Sequence, residues 1–206
     1  MPNALRFYGI TDVEHHAHAG GSDGTELLAF RDLAAIVSAA DYSAAPPAGE
    51  VIEQYRRVVD DVFARAPVLP APVGTVFRSR ETLTRWLELH YVTLTEALTF
   101  VSDRAEARVH VARINGRADE RETGSDVAAA AADAFRTLRR QSVAAVPLKG
   151  EHLTGIVLSS AFLLDKELWN DFVASVDDQR QRNPGLAFEL TGPWPPFDFV
   201  RMQYGG

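Results

Sequence analysis

Apolar residues recur along this chain with two spacings. At every third or fourth position they mark one face of a helix; alternating or in short runs they mark strands. The helical spacing is clearest over residues 50–65, where Ile52, Tyr55, Val59, Val62 and Phe63 share a side and Asp60 and Asp61 lie largely on the other. It returns after Ser79, a capping residue, and runs to about Ser102 through Leu83, Leu87, Tyr91, Leu94, Leu98 and Val101. The alanine-rich run 127–140 has high helix propensity, with Phe135 and Leu138 as its larger core-facing residues. A fourth helix is expected after Asp165, placed to cap it, with Leu168, Trp169, Phe172, Val173 and Val176 as its apolar face and Pro184-Gly185 as its stop.

Strands are expected between the helices. Residues 5–10 read as a short strand, and 26–30 with 33–39 as a hairpin turning at Arg31-Asp32. In 68–77, Pro70 and Pro72 keep the first half out of a regular ladder, and 73–77 suits a buried strand, with Gly74 closely packed in it. Residues 108–114, 153–164 and 186–191 are further strands. The polar stretches 11–24 and 115–126 read as loops, and Pro46-Pro47 breaks the chain before the first helix. The order β-ββ-α-β-α followed by β-α-β-α-β is α+β, with two small sheets each carrying helices on one face. The boundary falls near 102–108, giving an N-terminal domain 1–104, a C-terminal domain 105–191 and a tail 192–206.

That tail is the most distinctive stretch. Gly192 releases the backbone, and Pro193, Pro195 and Pro196 rule out helix interior and central strand. The segment is extended yet carries Trp194, Phe197 and Phe199. Three aromatics in six residues are poor composition for disorder, so an ordered tail pressed into a groove of earlier elements is expected.

Bulk composition narrows the function classes. The chain has 206 residues, 46% hydrophobic and 24% charged, ordinary values for a soluble globular protein. It has no cysteine, which excludes disulfides, thiolate catalysis and Cys-based metal sites. A net charge of −7 argues against nucleic-acid binding by phosphate neutralisation. No apolar run approaches a membrane span, and the start lacks a signal-peptide pattern. A cytoplasmic location is the default.

Candidate chemistry is sparse. Asp12, Glu14, His15, His16 and His18 could ligate zinc or nickel, but their spacing fits no closed site, and a solvated loop is the stronger reading. His90, His110 and His152 are dispersed and read as ordinary helix or strand residues. The pairs Asp60-Asp61 and Asp177-Asp178 are helix neighbours that do not face each other. There is no phosphate-cradling glycine loop and no nucleophile elbow. No catalytic, cofactor or metal residue is assigned.

Several pieces taken in order, RFYGI at 6–10, DLAAIVS at 32–38, VLP at 68–70, GTVF at 74–77, AFLLD at 161–165 and LTGPWPPF at 190–197, resemble the gas vesicle F/L family (GvpF and GvpL). The resemblance covers nearly the whole chain, and the Gly-Pro-Trp-Pro-Pro run is its most specific part. Where the family often has His-Glu in its first long helix, this chain has Tyr55-Arg56. The resemblance implies two ferredoxin-like α/β units with a proline/aromatic C-terminal tail. It implies a non-enzymatic accessory protein without cofactors that engages the hydrophobic shell-forming subunit and other gas vesicle accessory proteins, in the cytoplasm and at the gas vesicle. Nucleic-acid and membrane partners are not expected, on the charge and apolar-run grounds above. Thr75, Phe77, Trp194, Phe197 and Phe199 are the candidate partner-binding or tail-docking residues. The alternative from fold alone is a small-molecule-binding regulatory module or small enzyme on a ferredoxin-like scaffold. A polar pocket of converging side chains would favour it.

Overall fold

The computed structural model describes residues 4–14, 24–42, 47–114, 124–148 and 155–200. The chain forms two compact units, one of Met1–Ser102 with Pro195–Gly206 and one of Asp103–Trp194.

In the first unit β1 (Ala4–Asp12), β2 (Glu26–Phe30), β3 (Leu33–Ala40), β4 (Leu69–Pro70) and β5 (Val76–Phe77) make one sheet. Its order is β2-β3-β1-β4, with β5 also paired to β1. The β2–β3 hairpin turns at Arg31-Asp32 as expected. Tyr91 Oη donates to Asp32 Oδ1 at 2.6 Å, and the Arg31 guanidinium lies 4.5 Å from the Tyr91 ring centre, so the turn is pinned to a helix.

Two helices cover this sheet, one on each face. Helix α1 (Gly49–Phe63) packs Tyr55, Val58, Val59 and Val62 on Tyr8 and Ile36. Helix α2 (Arg80–Val101) packs Leu83, Trp86, Leu87, Leu94 and Leu98 on Phe7, Ala35 and Val37. Adjacent strand residues point to opposite faces, so β3 is buried at seven of its eight positions. Phe7 and Tyr8 serve different cores by this alternation, and a bulge between Phe7 and Gly9 returns Ile10 to the core of Phe7. The expectation of helices on one face is therefore corrected for this unit.

The stretch 68–77 also differs from expectation. Leu69–Pro70 pairs with β1, opposite Ile10 and Gly9. Proline is tolerated there because β4 is the last strand in the sheet order, where a missing donor breaks no ladder. Only Val76–Phe77 of 73–77 is strand. Gly74 has φ +84° and Thr75 N donates to the Pro72 carbonyl oxygen at 3.2 Å. The glycine is thus the third residue of a tight turn that needs left-handed backbone, not a packed strand position.

The second unit runs β6 (Arg104–Arg113), α3 (Gly124–Arg139), β7 (Ala144–Pro147), β8 (Ile156–Asp165), α4 (Trp169–Arg182) and β9 (Leu186–Trp194). This is the β-α-β-β-α-β order of a ferredoxin-like unit, and its strands lie β7-β8-β6-β9. Here both helices share one face. Val127, Ala131, Ala134 and Leu138 of α3 and Phe172 and Val176 of α4 enclose Ala107, Val109, Val111, Phe162 and Phe188. The alternate residues Glu106, Arg108 and His110 point the other way. Arg108 Nε donates to Glu106 Oε1 at 2.7 Å, and His110 Nδ1 lies 2.7 Å from Ser159 Oγ.

Several boundaries move, and one strand is added. Strand β6 starts at Arg104, ahead of 108–114. Gly124 and Asp126 belong to α3, while 115–123 and the His15, His16 and His18 cluster lie outside the described residues. Strand β7 is unforeseen, because Ala-Ala-Val-Pro has no strand signature of its own. Ser79 caps α2 as expected, its hydroxyl accepting from Thr82 N at 3.2 Å. Asp165 instead accepts from Arg104 Nε at 3.0 Å and makes no cap bond to the short 3-10 turn Lys166–Leu168.

Candidate functional site

The C-terminal segment is the feature that sequence reasoning set apart, and the structure divides it. Gly192, Pro193 and Trp194 continue β9 along β6, with Trp194 opposite Glu106. Gly192 has φ +128°, and a Cβ there would stand 2.7 Å from the Glu106 carbonyl oxygen. Only glycine lets the strand pass so close with that backbone. Pro193 is accommodated because β9 is the last strand of its sheet. The Trp194 side chain is 40% exposed, and its Nε1–H donates to Thr191 Oγ1 at 3.1 Å.

From Pro195 the chain belongs to the first unit. Pro195 and Pro196 are buried, and Phe197–Phe199 forms one 3-10 turn. Phe197 packs on the α1 core, its ring centre 6.4 Å from that of Tyr55. Val200 packs against the α2 core. The stiff proline backbone lowers the entropy lost when these apolar side chains dock.

Tyr55 is the hub that holds this arrangement. Its ring stacks on Tyr8 at 6.3 Å. Its hydroxyl donates to the carbonyl oxygen of Ala71, joining α1 to the strand-turn segment 69–77. Tyr8 in turn bonds Ser38 Oγ at 3.0 Å. Burial, reinforced by the Asp60 carboxylate, pushes the Tyr55 phenol well above the ordinary tyrosine range. Burial also raises the Asp60 carboxyl, with Arg56 opposing. The helical periodicity placed Tyr55 in the core, but its role as a junction was not foreseen. A buried phenol must find an acceptor, and the nearby proline-broken segment, with unpaired carbonyls, was the available signal.

The five candidate residues divide between the two units. Phe77 is a packing residue of the first unit, 5.5 Å from Phe7 and 5.7 Å from Trp86 between ring centres. Thr75 is structural: its hydroxyl donates to the Pro72 carbonyl oxygen at 2.6 Å, and its own carbonyl oxygen accepts from Phe7 N at 2.9 Å. Val73, beside it in the turn, is 41% exposed. Phe197 and Phe199 are half-buried on the first unit, and Trp194 stands on the second.

Among the described residues no group of three or more His, Asp or Glu side chains could hold a metal ion. A depression of about 390 Å³ at the start of α2 is lined by Arg80, Glu81, Thr84, Arg85 and Glu88. These residues come from a single helix, so in this depression no polar groups converge from several elements. No described helix is long and apolar enough to cross a membrane.

Comparison with known proteins assigns the chain. The family model for gas vesicle synthesis protein GvpL/GvpF matches residues 5–123 and 112–201. The chain is 25% identical over 211 residues to gas vesicle protein F2 of Halobacterium salinarum, spanning 98% of this chain and 94% of that one. It is 27% identical over 230 residues to gas vesicle protein L of Streptomyces sp., spanning 89% and 86%. Its fold is that of the crystal structure of GvpF from Anabaena sp. PCC7120, with a TM-score of 0.79 at 15% identity over 98% of this chain and all of the other. GvpF from Microcystis aeruginosa matches with a TM-score of 0.74 at 14% identity, over 97% of this chain and all of the other. With its two-unit fold and a family match running almost from end to end, the chain belongs to the gas vesicle synthesis protein GvpL/GvpF family.

Proposed function

We propose that this chain is a non-enzymatic accessory protein of gas vesicle formation. It acts in the cytoplasm and at the vesicle, binds the hydrophobic shell-forming subunit, and supports nucleation or assembly together with other gas vesicle accessory proteins. The observation that supports this reading is the family match across residues 5–201. The physical task is to hold an apolar subunit in water until it joins the growing wall. That requires exposed apolar side chains on a charged body, and the chain combines a net charge of −7 with exposed Val73 and Trp194.

Roles divide among the candidate residues. Thr75 and Phe77 fix the turn and strand that present Val73. Phe197 and Phe199 keep the tail seated on the first unit. Trp194 offers an indole to the shell-forming subunit, since aromatic side chains dominate contacts of this kind. The test is complementation of a strain deleted for this gene. The wild-type chain restores vesicles, and Trp194→Ala restores them poorly at equal protein level. Normal vesicles in the deletion strain would remove the reading.

A further inference from the structure

The outer face of α2 carries a stripe that neither core uses. Arg85, Leu89, Val92 and Glu96 stand at i, i+4, i+7 and i+11, the spacing of one helix face, and all four are exposed. Leu89 is 75% and Val92 66% exposed. Leu83, Trp86, Leu87, Leu94 and Leu98, which face the sheet, fix this rotation of the helix. The stripe therefore stays outward while the unit is folded.

The order of the four residues is self-complementary. If a second α2 lies antiparallel across the first, with a two-fold axis between Leu89 and Val92, each Leu89 meets the Val92 of the copy. Each Arg85 then meets the Glu96 of the copy. The apolar pair is sealed at both ends by opposite charges, and like charges at Glu96 are about 16 Å apart along the axis at 1.5 Å rise per residue. A parallel arrangement would set Arg85 against Arg85 and Glu96 against Glu96. The same patch meeting itself is the requirement for a two-fold dimer. Glu88, one turn from Arg85, faces Thr93 of the copy and adds no like-charge contact at the centre.

We propose that this face of α2 pairs with a second copy of the chain, antiparallel, through Leu89–Val92 contacts flanked by Arg85–Glu96 ion pairs. One helix face buries less than the roughly 1,200 Å² typical of stable complexes. The dimer is accordingly weak, and it forms where assembly concentrates the protein.

Sedimentation equilibrium of the full chain over a wide concentration range tests this. The wild type is expected to show a monomer–dimer equilibrium that weakens with salt. Arg85→Glu and Glu96→Arg each weaken it roughly tenfold, because two-fold symmetry turns two attractive pairs repulsive at once. The double variant R85E/E96R restores it to within about threefold, since the swapped charges pair again. Leu89→Glu abolishes it while circular dichroism stays unchanged, as the position lies outside the core. A wild-type chain that remains monomeric at all concentrations overturns the proposal. So does a dimer that none of these substitutions weakens, or one that the charge swap fails to recover.

Discussion

The two units share a strand order and differ in how it is covered. In both, the first strand lies between the third and the fourth, as β2-β3-β1-β4 and β7-β8-β6-β9. The second unit places α3 and α4 on one face, whereas the first places α1 and α2 on opposite faces. The strands record the difference. In β3 consecutive residues Ala34, Ala35, Ile36 and Val37 are all fully buried, as a sheet covered on both sides demands. In β6 apolar Ala107, Val109 and Val111 alternate with Glu106, Arg108 and His110. Strand order alone therefore does not decide how many faces need cover. The run or alternation of apolar side chains does.

Substitutions can break or sharpen this contrast. The largest effect is expected at Phe162, fully buried and within 5.7 Å of Phe135 and 5.3 Å of Phe172 between ring centres. Phe162→Ala removes the ring that both helices of the second unit rest on and costs about 3–5 kcal/mol in urea denaturation. Next come two neighbour pairs. Ile36→Ala and Val37→Ala each cost at least about 2 kcal/mol, because each faces a different helix. In the second unit Val109→Ala is costly in the same way, while His110→Ala stays within about 1.5 kcal/mol, the worth of its bond to Ser159. A silent Ile36→Ala would mean that α1 does not cover its face.

A smaller effect is expected at the tail junction. Tyr55→Phe leaves the Ala71 carbonyl without its donor and costs about 1–2 kcal/mol. It also has a pH signature. The folded phenol is held protonated above its unfolded pKa of 10.0, so the unfolded chain loses its proton first and stability falls as pH rises beyond that value. Tyr55→Phe removes that part of the alkaline decline, and an unaltered pH profile would contradict the buried placement. The smallest effect is at the exposed ion pair Arg136–Asp133. Arg136→Ala should change stability by no more than about 0.5 kcal/mol.

Much of this architecture was legible in the chain. Three of the four helices followed from their 3.6-residue stripes and α3 from its alanine-rich helix propensity, and the β2–β3 hairpin from two apolar runs around Arg31-Asp32. What escaped depends on tertiary context. Strand β7 consists of residues with weak β preference and exists because β8 offers it an edge. Pro70 and Pro193 fit into strands only because their strands end the sheets. Ile10 joins Phe7 in one core, and not Tyr8 in the other, because of a bulge that no local pattern announces. The tail's aromatic content pointed to docking, but not to a division in which Trp194 stays with β9 while Phe197 reaches Tyr55. The His15, His16 and His18 cluster lies outside the described residues, and the five candidate residues divide between the two units, Trp194 with the second and the other four with the first.

The most direct test of the central claim is light scattering by the purified shell-forming subunit diluted from denaturant, with and without this chain. Stoichiometric wild-type chain is expected to delay or suppress aggregation and to co-sediment with the subunit, and Trp194→Ala to do so less well. Aggregation that proceeds unchanged at every ratio, with no co-sedimentation, would contradict the account.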